Sequence, residues 1–514
     1  LAQKNNPFPN GASLKIYQIN PVKKQAVIVG AGLGGLSTAL RLTTLGYQVH
    51  IVEKHKTPGG RLNTFTEKGY TFDLGPSFFS MSYEFDELFK ACNMENPLTY
   101  QQLSPLYTVN FAGSERRFQI FRDLEKLAQE FEDLEPDFVN KCKRYLSGAK
   151  EIFHDTEYRI VKKNFNGKLD YLMSMAGVPW KHAPAMFRSM WSELDRHFES
   201  HEVKVIFSLV AFFLGATPFD TPAVYKLLNY TELQHDGYWS VKGGMYTITT
   251  RLVEELTRRG VTFTYDSEVV QVNESNGKVR SVQDQHGNAY TADLFVINSD
   301  AASFRGKLLG RAKYNESALD KMDWTLSPFT IYLGIKGKVE GLHHHNYFLG
   351  TNFQEYADKI FKLSVNPEKP YYYVNVSSKS DAQCAPEGCE NIFILCPVPD
   401  LRYKPDWSDA NQLADTIIAD LSERTGYDLA ANTEVRRVMP PDEWQNTFNL
   451  YRGSGLGLAH GLNQIGALRP ANKDESLSNL YYVGASTIPG TGLPIVVIGS
   501  KLVTERIQHE HPII

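Results

Sequence analysis

Two glycine-rich stretches near opposite ends of the chain carry the residue types and spacing for handling a large anionic ligand. The first is Gly30-Ala31-Gly32-Leu33-Gly34-Gly35. It follows Ala26-Val27-Ile28-Val29, whose length and β-branched residues fit a buried parallel strand. A helical pattern through Leu36, Ala39, Leu40 and Leu42 comes next, then a second strand, Gln48–Val52, ending at Glu53. This is G-x-G-x-x-G in the strand–turn–helix–strand–acid setting that gives the motif its meaning. Gly30 permits the tight turn, Gly32 lets the backbone approach a pyrophosphate, and Gly35 lets helix and strand pack closely. Leu33 and Gly34 open the helix, where unpaired N–H groups and the positive dipole end face phosphate. Glu53 is placed to accept hydrogen bonds from a ribose diol.

Further residues narrow the ligand. Pro58-Gly59-Gly60-Arg61 offers close backbone approach and a guanidinium fork for phosphate or carboxylate. Phe72-Asp73-Leu74-Gly75-Pro76-Ser77 follows. At the far end a strand over Leu480–Val483 runs into Gly484-Ala485-Ser486-Thr487-Ile488-Pro489-Gly490-Thr491-Gly492-Leu493-Pro494. Its Gly and Pro residues make a loop whose backbone approaches a flat ligand. The apolar helical segment from Ile495 presents N-terminal N–H groups to that ligand's electron-rich edge.

Together these segments resemble the flavin amine oxidase and carotenoid desaturase superfamily. The pattern from Arg469 to Ser500 is similar to that of phytoene-desaturase-type carotenoid desaturases. The likeness extends through Phe212-Phe213-Leu214-Gly215-Ala216-Thr217-Pro218-Phe219, Gly237-Tyr238-Trp239-Ser240-Val241-Lys242-Gly243-Gly244-Met245 and Phe295-Val296-Ile297-Asn298-Ser299-Asp300-Ala301. It implies FAD as cofactor, with Gly60 and Arg61 along it and Gly75, Pro76 and Ser77 near the flavin. Lys54 joins Glu53 among the implied contacts, and Val269 falls where family members place a backbone contact to adenine. Where the family often has His, this chain has Ile488. The resemblance implies desaturation of a long polyene carotenoid, either phytoene-type and acyclic or a late hydroxylated or monocyclic one. Oxygen or a membrane quinone then reoxidises the flavin. The fold leaves other activities open: polyene isomerisation or saturation, oxidation of amines or porphyrinogens, and non-catalytic escort of prenyl lipids.

Desaturation asks little of protein acids. A hydride leaves one carbon for flavin N5, and the neighbouring carbon, now beside a carbocation-like centre, gives up a very acidic proton. The protein's work is orientation and exclusion of water. That fits an apolar tunnel, with Phe212, Phe213, Phe219, Tyr238 and Trp239 as lining candidates. No base stands out; Glu232 and Asp236 read as surface or helix-end charges. His343-His344-His345 reads as a solvated loop and not a metal site, because consecutive strand residues point to opposite faces.

The elements that position these residues suggest an α/β fold: a Rossmann-like FAD-binding domain, discontinuous in sequence, with a mixed-sheet substrate domain and a helical cap. We read 1–22 as an N-terminal extension, and 23–90, 230–305 and 466–514 as the three parts of the FAD-binding domain. Residues 91–229 form a helical, membrane-facing cap and 306–465 the substrate domain. The 514 residues carry 54 Lys and Arg against 58 Asp and Glu, a net charge of −4, which disfavours nucleic acid as a partner. Five cysteines without a CxxC pair read as thiols of a reducing, cytoplasmic setting. No segment reads as a secretion signal, and no apolar run reaches the ~18 residues of a membrane span. A carotenoid resides in the bilayer, so a peripheral, monotopic contact is expected, with Val205–Leu214 as the candidate segment.

Overall fold

In the computed structural model, residues 24–362 and 370–512 are described, the Phe213 side chain excepted. The N-terminal extension expected over 1–22 lies outside them. Five parallel strands form the sheet that carries the first motif: Gln25–Val29, Gln48–Val52, Thr262–Thr264, Leu294–Ile297 and Leu480–Tyr482. Numbered by chain position, their order across the sheet is 3-2-1-4-5. This is the doubly wound order, in which ligands bind beyond the carboxyl ends of the strands where the winding reverses. The reversal lies between Gln25–Val29 and Leu294–Ile297, so Gly30 and Asn298 flank it. Both faces of the sheet are covered, which is why its strands read as continuous apolar runs. Helices Leu33–Thr44, Tyr246–Arg258 and Leu493–Glu510 bury one face through Leu36, Leu40, Ile248, Leu252, Val497 and Val503. An antiparallel meander of Val269–Ser275, Lys278–Asp284 and Ala289–Tyr290 buries the other.

A seven-stranded mixed sheet forms the second layer system. Its long central strands, Ser327–Lys336 and Cys389–Val398, pair antiparallel along ten residues each. Helix Ala410–Thr425 packs on one face through Leu413, Ile417 and Leu421. The other face, with Tyr332, Tyr373 and Phe393, meets Tyr70, Phe72 and Trp444.

Residues 91–229 are helical from Leu124 onward, but the reading of this stretch as a purely helical cap needs correction. Tyr107–Phe111 and Arg117–Ile120 complete the seven-stranded sheet, and Tyr107–Phe111 pairs parallel with His345–Leu349. Such pairing between distant segments gives no local signal beyond a short aromatic and β-branched run. The assignment of Val205–Leu214 as a membrane contact is also overturned. Helix His201–Ser208 turns His201, Glu202 and Lys204 outward, while Val205, Ile206, Phe207, Leu209, Val210 and Ala211 form a core with Phe138, Tyr145 and Leu146. Val205 and Ala211 are fully buried, so the apolar side of this segment is covered by protein. The cysteines are free thiols, all buried except the half-buried Cys389.

Candidate active site

A cavity of about 1270 Å³ begins at the winding reversal, passes the inner face of the seven-stranded sheet and opens through the helical region. Its first part is the glycine turn. Gly30, Gly32, Leu33 and Gly34 line it, and helix Leu33–Thr44 has no side-chain cap at Gly32, so its first N–H groups are free to meet an anion. Gly35 lies behind the cavity wall. A Cβ there would collide with the Gly30 carbonyl, so this glycine sets the helix–strand packing. At Gly32 a Cβ would stand 2.8 Å from Asn298 Oδ1.

Glu53, at the end of its strand, is held by two backbone donors: Ala31 N–H to Oε2 at 2.6 Å and His55 N–H to Oε1 at 2.9 Å. It remains on the cavity wall, and carboxylate oxygens accept more than one hydrogen bond. Lys54 also borders the cavity, with its ammonium directed to Asn446 O and Asn449 Oδ1. Val269 opens the meander and faces the same space.

Further along, Gly60, Arg61, Gly75, Pro76 and Ser77 face Gly484, Ala485, Gly492, Leu493, Pro494 and Ile495 across the cavity. Gly59 holds φ +116°, a conformation that favours glycine, and turns the chain toward Arg61. The Arg61 guanidinium donates to Gly455 O. Burial pulls its pKa down while the Asp300 carboxylate opposes the shift. Helix Leu493–Glu510 again starts at a glycine with no side-chain cap, and Pro494 in its first turn has no N–H to lose. Two uncapped helix N-termini, a diol acceptor and a buried, unpartnered Asn298 Oδ1 beside Gly32 fit FAD along this path.

The third part is apolar. Phe212 and Tyr238 line it, with Tyr171, Met175, Met186, Val224, Leu228, Ile465 and Ile488. Phe219 and Trp239 do not. Phe219 packs on Trp191 and Phe353 in the core, and Trp239 sits beside Tyr100 with its indole N–H donated to Asp236. Aromatic residues next to a motif pack into a core as readily as into a tunnel. The expectation for Phe213 lies outside the described side chains.

Several residues carry more than their sequence suggested. Asn298 ends an apolar strand two residues before the helix-capping Asp300, a pattern that marks a strand end at the ligand crevice. His344 and His345 are buried, not solvated; His345 stacks on Phe78 at 4.1 Å and its Nδ1 lies 2.6 Å from Tyr373 Oη. His460 reaches the second glycine loop, where its Nε2 accepts from Thr491 N–H at 3.3 Å. Burial and the nearby Arg469 hold its pKa well below the usual range, so the ring is neutral. Glu232 and Asp236 are buried, contrary to their reading as surface or helix-end charges. Asp236 accepts from Ser82 N–H and Oγ–H, each at 2.8 Å, and so locks the start of helix Ser82–Ala91.

Asp73 accepts backbone N–H groups from Met245 at 3.0 Å and Tyr246 at 3.3 Å, yet burial outweighs these bonds and raises its pKa from 3.8 to about 6. Between those values the folded protein binds a proton that the unfolded chain does not, so stability contributed here falls as pH rises. Asp73→Asn should remove that fall, a difference of about 3 kcal/mol across the interval. Urea melts of both proteins at stepped pH check it; parallel stability curves would count against the assignment.

Comparison with known proteins is consistent with this geometry. The model of the flavin containing amine oxidoreductase family matches residues 33–507. A zeta-carotene-forming phytoene desaturase from Myxococcus xanthus is 36% identical over 490 residues, covering 94% of each chain. A phytoene desaturase from Fusarium fujikuroi is 32% identical, covering 95% of this chain and 90% of its own. Among solved structures, an oxidoreductase from Methanosarcina mazei superposes with a TM-score of 0.62 at 18% identity, covering 94% of this chain and all of that one, which is a likeness of fold.

Proposed function

The chain belongs to the flavin containing amine oxidoreductase family and is an FAD-dependent oxidoreductase, and from that premise we propose that it desaturates a long polyene carotenoid drawn from a membrane. The observation that carries this reading is one continuous cavity joining the dinucleotide cradle to an apolar arm with an apolar mouth. The desaturase relatives support the reaction class.

When bound, FAD supplies the two-electron oxidant, taking a hydride at N5. This chain's residues bind and orient. The two glycine loops and Arg61 fix the cofactor, and Phe212, Tyr238 and Leu228 hold the polyene beside it. The apolar lining excludes water, so the reacting carbons see a fixed environment. Oxygen or a quinone would serve as the final electron acceptor.

The membrane contact falls on 158–187 in place of the buried Val205–Leu214. Trp180 is 84% exposed and Phe187 88%, and both line the cavity, so they form its rim. Leu169, Leu172 and Met173 extend the apolar surface, and Arg159, Lys168 and Lys181 are exposed around it. Lys181 pairs with Glu151, and the apolar side chains with Arg159 and Lys168 among them fit an anionic lipid surface. No helix among the described residues is long and apolar enough to cross a membrane. Replacing Trp180 and Phe187 together by Ser should weaken binding to anionic vesicles by at least about tenfold, given the transfer energy of two aromatic side chains. Cosedimentation measures it, and undiminished binding would move the contact elsewhere.

The direct test incubates the FAD-loaded protein with liposomes carrying phytoene, then with liposomes carrying late hydroxylated or monocyclic carotenoids. Loss of two hydrogens with a red-shifted spectrum is the expected result, and the preferred substrate places the step. Bound flavin without mass change would replace desaturation by isomerisation or another substrate class.

A further inference from the structure

Desaturation releases a proton as well as a hydride, and the cavity wall offers a place for it. Glu232 sits in the wide, π-type helical turn Thr231–His235, 4% exposed. Tyr238 lines the cavity and donates its hydroxyl to Glu232 Oε1 at 3.2 Å. Tyr238 also packs edge-on against Phe78 at 4.9 Å, and Phe78 follows Ser77 on the cofactor path. Tyr238 therefore belongs to the stretch of wall where cofactor path and apolar arm meet, and its hydroxyl links that wall to Glu232.

The groups around Glu232 come from every element packed against it. Tyr107 from its strand and Asn229 from the preceding helical turn hydrogen-bond the carboxyl. Tyr145 from helix Phe138–Thr156 and Tyr347 from strand His345–Leu349 lie near enough to be raised by its charge. All of these neighbours are neutral, and among the described residues no Lys, Arg or His contributes to the carboxyl's titration. An unpaired buried carboxyl is costly to ionise, and here burial lifts its pKa to about 7 despite three hydrogen bonds. A structural carboxylate is normally given a cation. This one is left at the point where it gains and loses a proton near neutrality.

We propose that Tyr238 and Glu232 are the proton outlet of the reaction: Tyr238 Oη takes the proton from the substrate carbon as it passes its own to Glu232. The inference rests on the desaturation proposed above. The balance is complete. One C–H bond breaks with its electron pair leaving as hydride to FAD, the oxidant. The neighbouring C–H bond breaks with its pair becoming the new π bond. Its proton goes to Tyr238 Oη, and the tyrosine's original proton goes to Glu232 Oε1, giving a neutral acid. A carbocation-like centre makes the substrate proton acidic enough for a phenol oxygen to accept it. The carboxylate behind keeps the tyrosine from holding a positive charge. Glu232 acts through Tyr238 and is therefore a positioning residue that also stores the proton.

The experiment uses the FAD-loaded protein with phytoene or a late carotenoid in liposomes, and reads anaerobic flavin bleaching at stepped pH. The wild-type rate should rise through about pH 7, as the carboxylate forms. Glu232→Gln should slow bleaching by about a hundredfold and lose that limb. A second readout needs no turnover: infrared titration of the substrate-free holoprotein should show a buried acid with the same midpoint, absent in Glu232→Gln and shifted in Tyr238→Phe. If Glu232→Gln does not fold, Tyr238→Phe carries the test, because it keeps the ring and removes only the hydroxyl; it too should lose rate and limb. A Glu232→Gln protein that bleaches at the wild-type rate with its pH limb intact overturns the outlet alone. A wild-type protein that desaturates none of the carotenoids overturns the functional reading, and the outlet with it.

Discussion

Gly32→Val should purify colourless, with FAD affinity reduced at least about a thousandfold, or roughly 4 kcal/mol. The backbone at Gly32 is extended (φ −72°, ψ 173°), a conformation valine adopts readily, so the effect does not come from strain. It comes from occupied space. The new Cβ would lie 2.8 Å from Asn298 Oδ1 and 3.9 Å from Gly59 O, and the two methyl groups beyond it would enter the gap the pyrophosphate needs. The free N–H groups at the start of helix Leu33–Thr44 would then lie behind hydrocarbon, where an anion cannot reach them. Gly32→Ala should fall between, since Asn298 can yield to a single methyl. The measurements are flavin absorbance per mole of purified protein and the shift in melting temperature on adding FAD, which wild type shows and Gly32→Val does not. A valine variant that purifies yellow at wild-type stoichiometry would refute this placement of the phosphates.

The cradle was legible because its information is local. Strand, turn, helix and Glu53 follow one another within Ala26–Glu53, and each residue type has one geometric duty there. The far loop, Gly484–Ile495, was legible for the same reason, and so was the α/β class of the fold. What escaped the sequence depends on partners far away in the chain. Tyr107–Phe111 pairs locally with Arg117–Ile120, but it joins the seven-stranded sheet through His345–Leu349, and nothing in either segment encodes that register. Glu232 and Asp236 look like surface charges until tyrosines from three other elements close over the first and Ser82 and Trp239 over the second. The segment expected to contact a membrane was picked by a rule that scores apolar runs. In Val205–Leu214, the longest such run, residues 205–211 are buried, whereas the cavity rim at Trp180 and Phe187 is interleaved with Lys181 and Arg188 and shows no run at all. Exposure, not hydropathy, separates the two.

Arg469 supports the second glycine loop, and Arg469→Met should cost about 4 kcal/mol of stability along with much of the affinity for FAD. The side chain is 3% exposed and, among the described residues, pairs with no carboxylate. Its guanidinium donates instead to five backbone carbonyls: Nε to Thr487 at 3.1 Å, Nη1 to Ala459 at 3.0 Å and Gln464 at 3.1 Å, and Nη2 to Leu458 at 2.8 Å and Ala485 at 2.6 Å. Burial lowers its pKa to about 10, so the charge persists at neutral pH. One residue thus ties the segment that bears His460 to the loop that bears Ala485, both on the cavity wall. Methionine fills the volume and returns no donor, leaving acceptors whose desolvation was offset by a cation; each such orphan costs about 1–3 kcal/mol before relaxation. Lysine keeps the charge but offers three donors from a point in place of five from a planar fork, so Arg469→Lys should recover only part of the loss. Urea melts with and without FAD separate the two effects. Loss of stability in the flavin-free protein reports the carbonyl network, and an additional loss of the FAD-induced gain reports the displaced loop. Arg469→Met melting within about 1 kcal/mol of wild type in both states would mean that the loop holds its shape by its own glycines and prolines.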